Sequence, residues 1–400
     1  MSAMTRNILD GVRILDLTRV MSGPFCTAML ADLGAEVIKI EMPGFGEEGR
    51  HFAPFKDDLS TYFMLLNRGK KSVALNLKDA EAVALARDLA ARSDVVVENF
   101  RPGVAARLGL DHETLRGADS KLVYASISGF GQEGPLSNWP AFDLVIQAMS
   151  GLMSITGERD GRAMAVGESF ADVATGMFAS WGILAALFDR ERTGEGRYLD
   201  VAMLDSVFSM LLTGLSRQLY TGSDARRVGN RHPETYPVDS FSARDGDFVL
   251  VGFSDGAFRA IAQAIGRPEL ADDPRFADNK ARNAHEADLR ALIEAWAAGR
   301  SRAEAVEALQ AAGVPSGPVW SLGDVAASQH AAARGLVTRG RNTVLGDIPL
   351  VRQPVHFHGA EAPAAQRAPL IGEDTDDVLS SLLGLDAGRI ADLRNKKVIA

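Results

Sequence analysis

Residues 12–41 read VRILDLTRVMSGPFCTAMLADLGAEVIKIE. VRILDL (12–17) is a strand pattern, PFCTAMLADLG (24–34) a short helix closed by a glycine, and AEVIKIE (35–41) a second strand. The same rhythm continues downstream. SVALNL (72–77) is followed by a helical pattern through DAEAVALARDLAARS, and then by two further strands, DVVVENF (94–100) and KLVYASI (121–127). Apolar strands separated by helices predict an α/β fold, with a largely parallel sheet covered on both faces. In such a doubly wound sheet, ligands sit beyond the carboxyl ends of the strands.

The turn after the first strand, DLTRVMSGP, lacks the glycine fingerprint of dinucleotide enzymes. A literal G-x-G-x-x-G occurs later, at Gly129, Gly131 and Gly134 in SISGFGQEGP. The fingerprint needs a helix opening on its last glycine, and here PLSNWPAFD follows, with Pro135 and Pro140. The stretch reads instead as a loop at a strand's carboxyl end, whose glycines permit close backbone approach to a ligand. An NAD-dehydrogenase reading has only these glycines behind it.

The chain has 400 residues, enough for two or more domains. With 46% apolar and 24% charged residues it has the composition of a soluble globular protein. A net charge of −9 argues against general nucleic-acid binding. The longest apolar region, VATGMFASWGILAALF, falls short of a bilayer span and suits a buried helix over 173–191, and MSAMTRNILDGVRIL does not read as a signal peptide. We therefore expect no membrane partner. The one cysteine, Cys26, lies in a helical pattern and is expected in the core; a single cysteine suits a reducing cytoplasm. Past residue 191 the sequence predicts a helix through DSVFSMLLTGLSRQLY, a linker or lid at 221–237, a hairpin on an Asp-Gly turn at 238–253, a strand at PVHFHG (354–359) and a helix at DTDDVLSSLLG.

Candidate chemistry is sparse when read locally. Asp172 stands where the apolar helix begins. It is either the helix N-cap, which local pattern favours, or a carboxylate held at a helix N-terminus as a nucleophile near oxyanion-stabilising N–H groups. His356 and His358 share a strand face, but no carboxylate or cysteine lies at metal-site spacing, so no metal is expected. Lys39, Lys78, Arg101 and Arg107 fall near strand ends. Singly each reads as a solvated charge; together they could hold phosphates.

Several segments in order carry a resemblance: residues 9–41, NRGKKSVALNLK, VVVENFRPGVAARLGL, LVYASISGFGQEGP, FADVATG with GILAALFDRERTGEGRYLDVAML, and GVPSGPV. Together they are similar to the class III CoA-transferases, the CaiB/BaiF or formyl-CoA transferase family, over nearly the whole chain. The resemblance implies a large Rossmann-like CoA-binding domain built from both termini (1–205 and 330–400) and a smaller α+β domain (225–325). Linkers would fall at 206–224 and 326–340, and two copies would interlock as a homodimer. It implies coenzyme A as substrate, with no permanently bound cofactor, and acyl-CoA and a carboxylic acid as partners.

By that resemblance Asp172 is the nucleophile of a transfer through an aspartyl anhydride and an aspartyl-CoA thioester. Met21, Ser22, Met42, Leu75, Asn76, Leu77, Lys78, Asn99, Phe100, Arg101, Arg107 and Phe142 fall on cofactor-binding positions. Met21 and Ser22 stand where formyl-CoA transferases have Gln-Ala, Met42 replaces an arginine, and Phe142 replaces an active-site tyrosine. The family's tetraglycine loop is not here, the comparable stretch RRVGNRHPETYP having only Gly229, and its LGEHT signature reads IGEDT, with Asp374 for His. Gly229, Arg231, His232 and Tyr236, with Arg217 before them, are candidates for the acceptor pocket, whose basic content suits a small dicarboxylate and a donor such as succinyl-CoA. One alternative is an α-methylacyl-CoA racemase-like enzyme, whose catalytic H-D-x-x-Y segment here reads FDLVIQ, with Phe142 and Gln147. A phenyl ring cannot act as its base. The other is a CoA-binding protein without transferase activity.

Overall fold

Alternation within the apolar runs places successive side chains on opposite faces of a sheet, and two cores follow from it. The computed structural model describes residues 7–358 and 367–400. Six strands form one sheet: β1 (Arg13–Asp16), β2 (Glu36–Glu41), β3 (Lys70–Ala74), β4 (Val95–Glu98), β5 (Val123–Ser128) and β6 (Tyr198–Ala202). All neighbours are parallel, in the order β3-β2-β1-β4-β5-β6. This is the doubly wound order, with its switch point between β1 and β4.

The helices that matter here are α1 (Ser22–Ala31), α2 (Ala80–Ala90), α3 (Asp143–Met149) and α4 (Phe170–Thr193). Ile14, Val37, Val95, Val97, Val123 and Ala125 bury one sheet face against Cys26 and Leu30 of α1 and Ala179 and Ile183 of α4. Leu15, Ile38, Val73, Val96 and Tyr124 bury the other against α2 and the C-terminal helices Thr375–Leu383 and Ala387–Asn395. Burial on both faces explains why these strands read as continuous apolar runs. By length and composition α4 could cross a membrane. Its apolar character has a structural cause here: Ala171, Ala174, Ala179, Ile183, Ala186 and Leu187 are buried in the cores.

β3 is a sheet edge, and the C-terminal segment covers it. The Ser72 N–H donates to Asp374 Oδ2 at 2.8 Å, the Asp374 N–H to the Ser72 carbonyl at 3.0 Å, and the Ala74 N–H to Thr375 Oγ1 at 3.0 Å. Asp374, the departure within IGEDT, is thus an edge acceptor that also pairs with Arg367.

The chain divides into two compact units, residues 1–152, 166–212 and 330–400, and residues 153–165 and 213–329. The segment 153–165, which the sequence reading leaves inside the large domain, groups with the second unit. That unit has an antiparallel sheet including the expected hairpin, Val238–Ala243 and Gly246–Val251, packed on Asp255–Ala264, Glu286–Ala297 and Arg302–Ala311. One expectation fails: residues 354–358 of PVHFHG form no strand. The antiparallel ladder there, Val337–Asn342 with Gly346–Val351, ends at Val351, and the alternating stretch beyond has no ladder partner among the described residues. Gly359, its last residue, lies outside the described residues.

Candidate active site

The loops that leave the carboxyl ends of β1 to β5 enclose two joined clefts, both in the first unit. One, of about 220 Å³, is lined by Met21, Ser22, Asn99, Phe100, Arg101, Phe142 and Asp172 among others. The second, of about 360 Å³, is lined by Met42, Leu75, Asn76, Leu77, Lys78 and Phe100, and shares Arg19, Glu48 and Phe100 with the first. Of the cofactor positions predicted from sequence, only Arg107 lies outside both linings; it sits on the short helix Val104–Leu108, whose Leu108 lines the second cleft.

Asp172 is not an N-cap. It is the third residue of α4, whose cap residue Ser169 makes no side-chain capping bond. The capping carboxylate is Asp143, 29 residues upstream, whose Oδ1 accepts the N–H of Ala171 at 2.7 Å and of Asp172 at 3.3 Å. Gln147 Nε2 fixes the other oxygen of Asp143 at 2.6 Å. The first N–H groups of α4 are therefore engaged, and those facing Asp172 come from another helix. Ser22, the first residue of α1, lines the same cleft and has its hydroxyl and backbone N–H turned toward Asp172. The positive end of α1 is thus set against the carboxylate.

Half-buried, Asp172 has its carboxyl pushed up to about 6, first by burial and then by the Asp143 charge, against the opposing pull of the Ser22 hydroxyl and N–H. It has no ion-pair partner among the described residues. A carboxylate that ionises near pH 6 without a cation is both available and more basic than usual, as a nucleophile requires.

Gly176 explains part of the ADVATG signature. A Cβ there would lie 2.6 Å from the Ser22 carbonyl oxygen and 3.3 Å from the Cys26 N. Glycine lets α4 and α1 approach until Ser22 reaches Asp172, one turn away. Gly131 and Gly134 have φ of 86° and 95° in the loop after β5, and no helix opens on Gly134. The G-x-G-x-x-G is a ligand-side loop, with Gly129 lining the first cleft.

Lys39 is not a surface charge. It is fully buried and donates to the Thr18 carbonyl at 2.7 Å, next to the buried pair Lys70–Asp16 at 2.9 Å. Burial pushes the Lys70 amine down to about 8, while Asp16, despite its own burial, is held below the usual carboxylate range by Lys39 and Lys70. Cys26 is buried, and burial with the nearby Asp16 charge pushes its thiol up, so it is a core residue. Lys78, Arg101 and Arg107 are exposed and carry no ion-pair partner among the described residues. Asn99 turns inward, accepting the Arg19 N–H at 2.9 Å and donating to its carbonyl at 2.8 Å. Phe142 is exposed at the rim of the first cleft, and Gln147 is buried with both amide ends bonded, so FDLVIQ offers no proton-transfer pair.

The proposed acceptor residues belong to the second unit. Arg231 forks onto Glu286 and Asn283, His232 Nδ1 accepts the N–H groups of Glu234 and Thr235, Tyr236 is wholly buried, and Gly229 takes a positive φ of 70°. The guanidinium and imidazole are engaged within that unit.

Sequence reasoning missed Asp143, Tyr62, Glu47 and Glu98. Asp143 was visible in FDLVIQ, but its role depends on α4. Glu98, buried at the end of β4, accepts the Phe100 N–H at 2.7 Å, and burial pushes its carboxyl up to about 7.

The profile of CoA-transferase family III matches residues 9–375. An acetyl-CoA:oxalate CoA-transferase of Acetobacter aceti is 42% identical over 362 residues, covering 90% of this chain and 92% of that protein. A succinyl-CoA:glutarate CoA-transferase of Mus musculus is 38% identical over 392 residues, covering 98% and 90%. Among solved structures, a CaiB/BaiF family protein from Brucella suis superposes with a TM-score of 0.86 at 36% identity, covering 94% of this chain and 100% of that one.

Proposed function

The chain belongs to CoA-transferase family III and is an enzyme of that class, and from that premise we propose that it moves CoA from an acyl-CoA donor such as succinyl-CoA to a small dicarboxylic acid. The observation that carries this reading is Asp172: a half-buried carboxylate in the first cleft, without an ion-pair partner among the described residues, with the Ser22 N–H and hydroxyl turned toward it. The relatives' acceptors, oxalate and glutarate, support a dicarboxylate.

The chemistry is the route that the family resemblance implies for Asp172. An Asp172 oxygen attacks the thioester carbonyl of the donor; the C–S bond breaks and CoA thiolate leaves, giving an acyl-aspartyl anhydride. The thiolate attacks the Asp172 carbonyl, releasing the donor acid and leaving an aspartyl-CoA thioester. A carboxylate of the acceptor attacks that thioester and expels the thiolate, forming a second anhydride. The thiolate then attacks the acceptor's carbonyl, and Asp172 departs as a carboxylate. Each step exchanges one activated acyl bond for another. Negative charge develops beside Asp172 at each addition, and the Ser22 N–H at the start of α1 is placed to stabilise it. The second cleft, with Lys78 and Arg107 at its edge, suits the nucleotide end of CoA, and Arg101 the chain leading to Asp172. The exposed apolar row Met177, Trp181 and Phe188 on one side of α4 supports assembly as an interlocked homodimer.

The test is to incubate the protein with succinyl-CoA or acetyl-CoA and a panel of acids, including oxalate, glutarate and succinate, and follow new CoA thioesters by mass spectrometry. Asp172→Ala is expected to lose orders of magnitude in rate, since the covalent route disappears. Exchange surviving in that variant, or none in the wild type with any donor, would overturn the reading.

A further inference from the structure

Val20 has φ of 66°. This is the left-handed region, which a β-branched residue rarely enters, because its Cβ crowds the backbone. Such strain persists where surrounding groups hold it, and it marks places where backbone direction matters. Val20 ends the turn from β1 into α1, two residues before the Ser22 N–H that faces Asp172. Its conformation therefore sets where that N–H points.

The groups that hold Val20 are specific. Glu47 Oε2 accepts the Val20 N–H at 2.9 Å, and the Tyr62 hydroxyl donates to the Val20 carbonyl at 3.3 Å. Asn99 brackets Arg19 just before it. Glu47 is 5% exposed. The same Oε2 accepts the Gly49 N–H at 2.7 Å, and Oε1 lies 3.5 Å from Asn67 Nδ2 and 3.9 Å from Lys39 Nζ. Glu47 borders the second cleft and is absent from the lining of the cleft around Asp172. Its route to the chemistry runs through the backbone of Val20.

We propose that Glu47 is a positioning residue for CoA transfer: by holding the Val20 N–H in a left-handed turn, it seats the Ser22 donors on Asp172. This rests on the transferase reading above. A role in neutralising buried Lys39 would be a different one, and two substitutions separate them. Glu47→Asp keeps the charge beside Lys39 but withdraws the carboxylate by one methylene from Val20. Glu47→Gln removes the charge but keeps an oxygen at the same reach.

With the full-length protein, kcat for CoA exchange is expected to fall about tenfold or more in Glu47→Asp, with KM for the acyl-CoA within about threefold, and to be largely kept in Glu47→Gln. The reverse order overturns the proposal. Glycine takes a positive φ without steric cost, so in a Val20→Gly background the effect of Glu47→Asp should shrink by about threefold or more. An equal effect in both backgrounds overturns it. If Glu47→Asp alone does not fold, Val20→Gly should restore a folded, active double variant, and failure to do so counts against the proposal. Amide hydrogen exchange over residues 19–23, followed by mass spectrometry, is expected to quicken in Glu47→Asp. That readout needs no turnover. A wild-type protein without exchange activity would sink the transferase reading alone, while unchanged protection over 19–23 would sink the role of Glu47.

Discussion

Asp143→Asn tests how the site tunes its proposed nucleophile, Asp172. In the folded protein the Asp172 carboxyl is raised from 3.8 to about 6, with burial the larger cause and the Asp143 charge the second. Asp143 therefore supplies the smaller share of the upward push, and each pKa unit of that share is equivalent to about 1.4 kcal/mol. Asparagine keeps an Oδ1 that can accept the N–H groups of Ala171 and Asp172, so the cap on α4 survives. It replaces Oδ2 with an amide facing Gln147 Nε2, and Gln147 cannot turn, because its own oxygen accepts the Val166 N–H at 2.8 Å. That clash of donors should cost about 1–2 kcal/mol of stability. The assay is kcat/KM for the acyl-CoA between pH 4.5 and 9, whose acid limb reports ionisation of the free enzyme's carboxylate. Wild type should lose activity below about pH 6, and the variant's limb should move down by about half a unit to one unit. The plateau should fall modestly, since a less basic carboxylate is a weaker nucleophile. A limb that stays in place or moves upward would refute the claim that the Asp143 charge acts on Asp172.

Three further outcomes follow from the same contacts. Asp172 has a folded pKa above its unfolded value, so wild-type stability falls as pH rises from about 4 to 6; Asp172→Asn removes that loss and should be more stable than wild type by up to about 3 kcal/mol at pH 8, and no more stable near pH 3.5, as read by thermal melting. Gly176→Ala would place a methyl 2.6 Å from the Ser22 carbonyl; forcing α4 from α1 should cost about 1–3 kcal/mol and about tenfold in kcat, and a variant unchanged in both would show that the close approach is not needed. Asp374→Ala leaves the buried Ser72 N–H without its side-chain acceptor and should lower stability by about 1–3 kcal/mol in urea titration, and an unchanged midpoint would remove Asp374 from the account of the β3 edge.

The features legible in the sequence are those that depend on near neighbours. Five of the six sheet strands announce themselves as apolar runs because both their faces are largely buried, whereas β6, YLDVA, carries the exposed Asp200 and does not. The runs outlast the strands, since Leu17, Leu75, Leu77 and Phe100 continue the apolar pattern into the cleft walls. The Asp-Gly hairpin is local and was readable. PVHFHG alternates as a strand should, yet a strand exists only where a neighbouring ladder accepts it, and periodicity carries no information about the neighbour. The site residues divide the same way. The glycines after β5 and the cluster at the ends of β2 to β4 could be located by position alone. The family resemblance implied the role proposed for Asp172, which its local context had favoured as a cap.

Charge pairing was illegible, for a physical reason. A buried ionisable group is tolerable only with its partner in place, and the partners here are distant in sequence: Lys39 with Thr18, Lys70 with Asp16, Glu47 with Val20, Asp143 with the start of α4. Read singly, Lys39 is a solvated lysine and Asp143 one half of a missing acid–base pair. Together these contacts form a frame under the turn from β1 into α1, and that turn carries Ser22 to Asp172. The sheet could be built from apolar runs alone. The placement of Ser22 against Asp172 could not, because it is set by groups far from both residues in sequence, which become one site only when the parallel strands bring their carboxyl ends together.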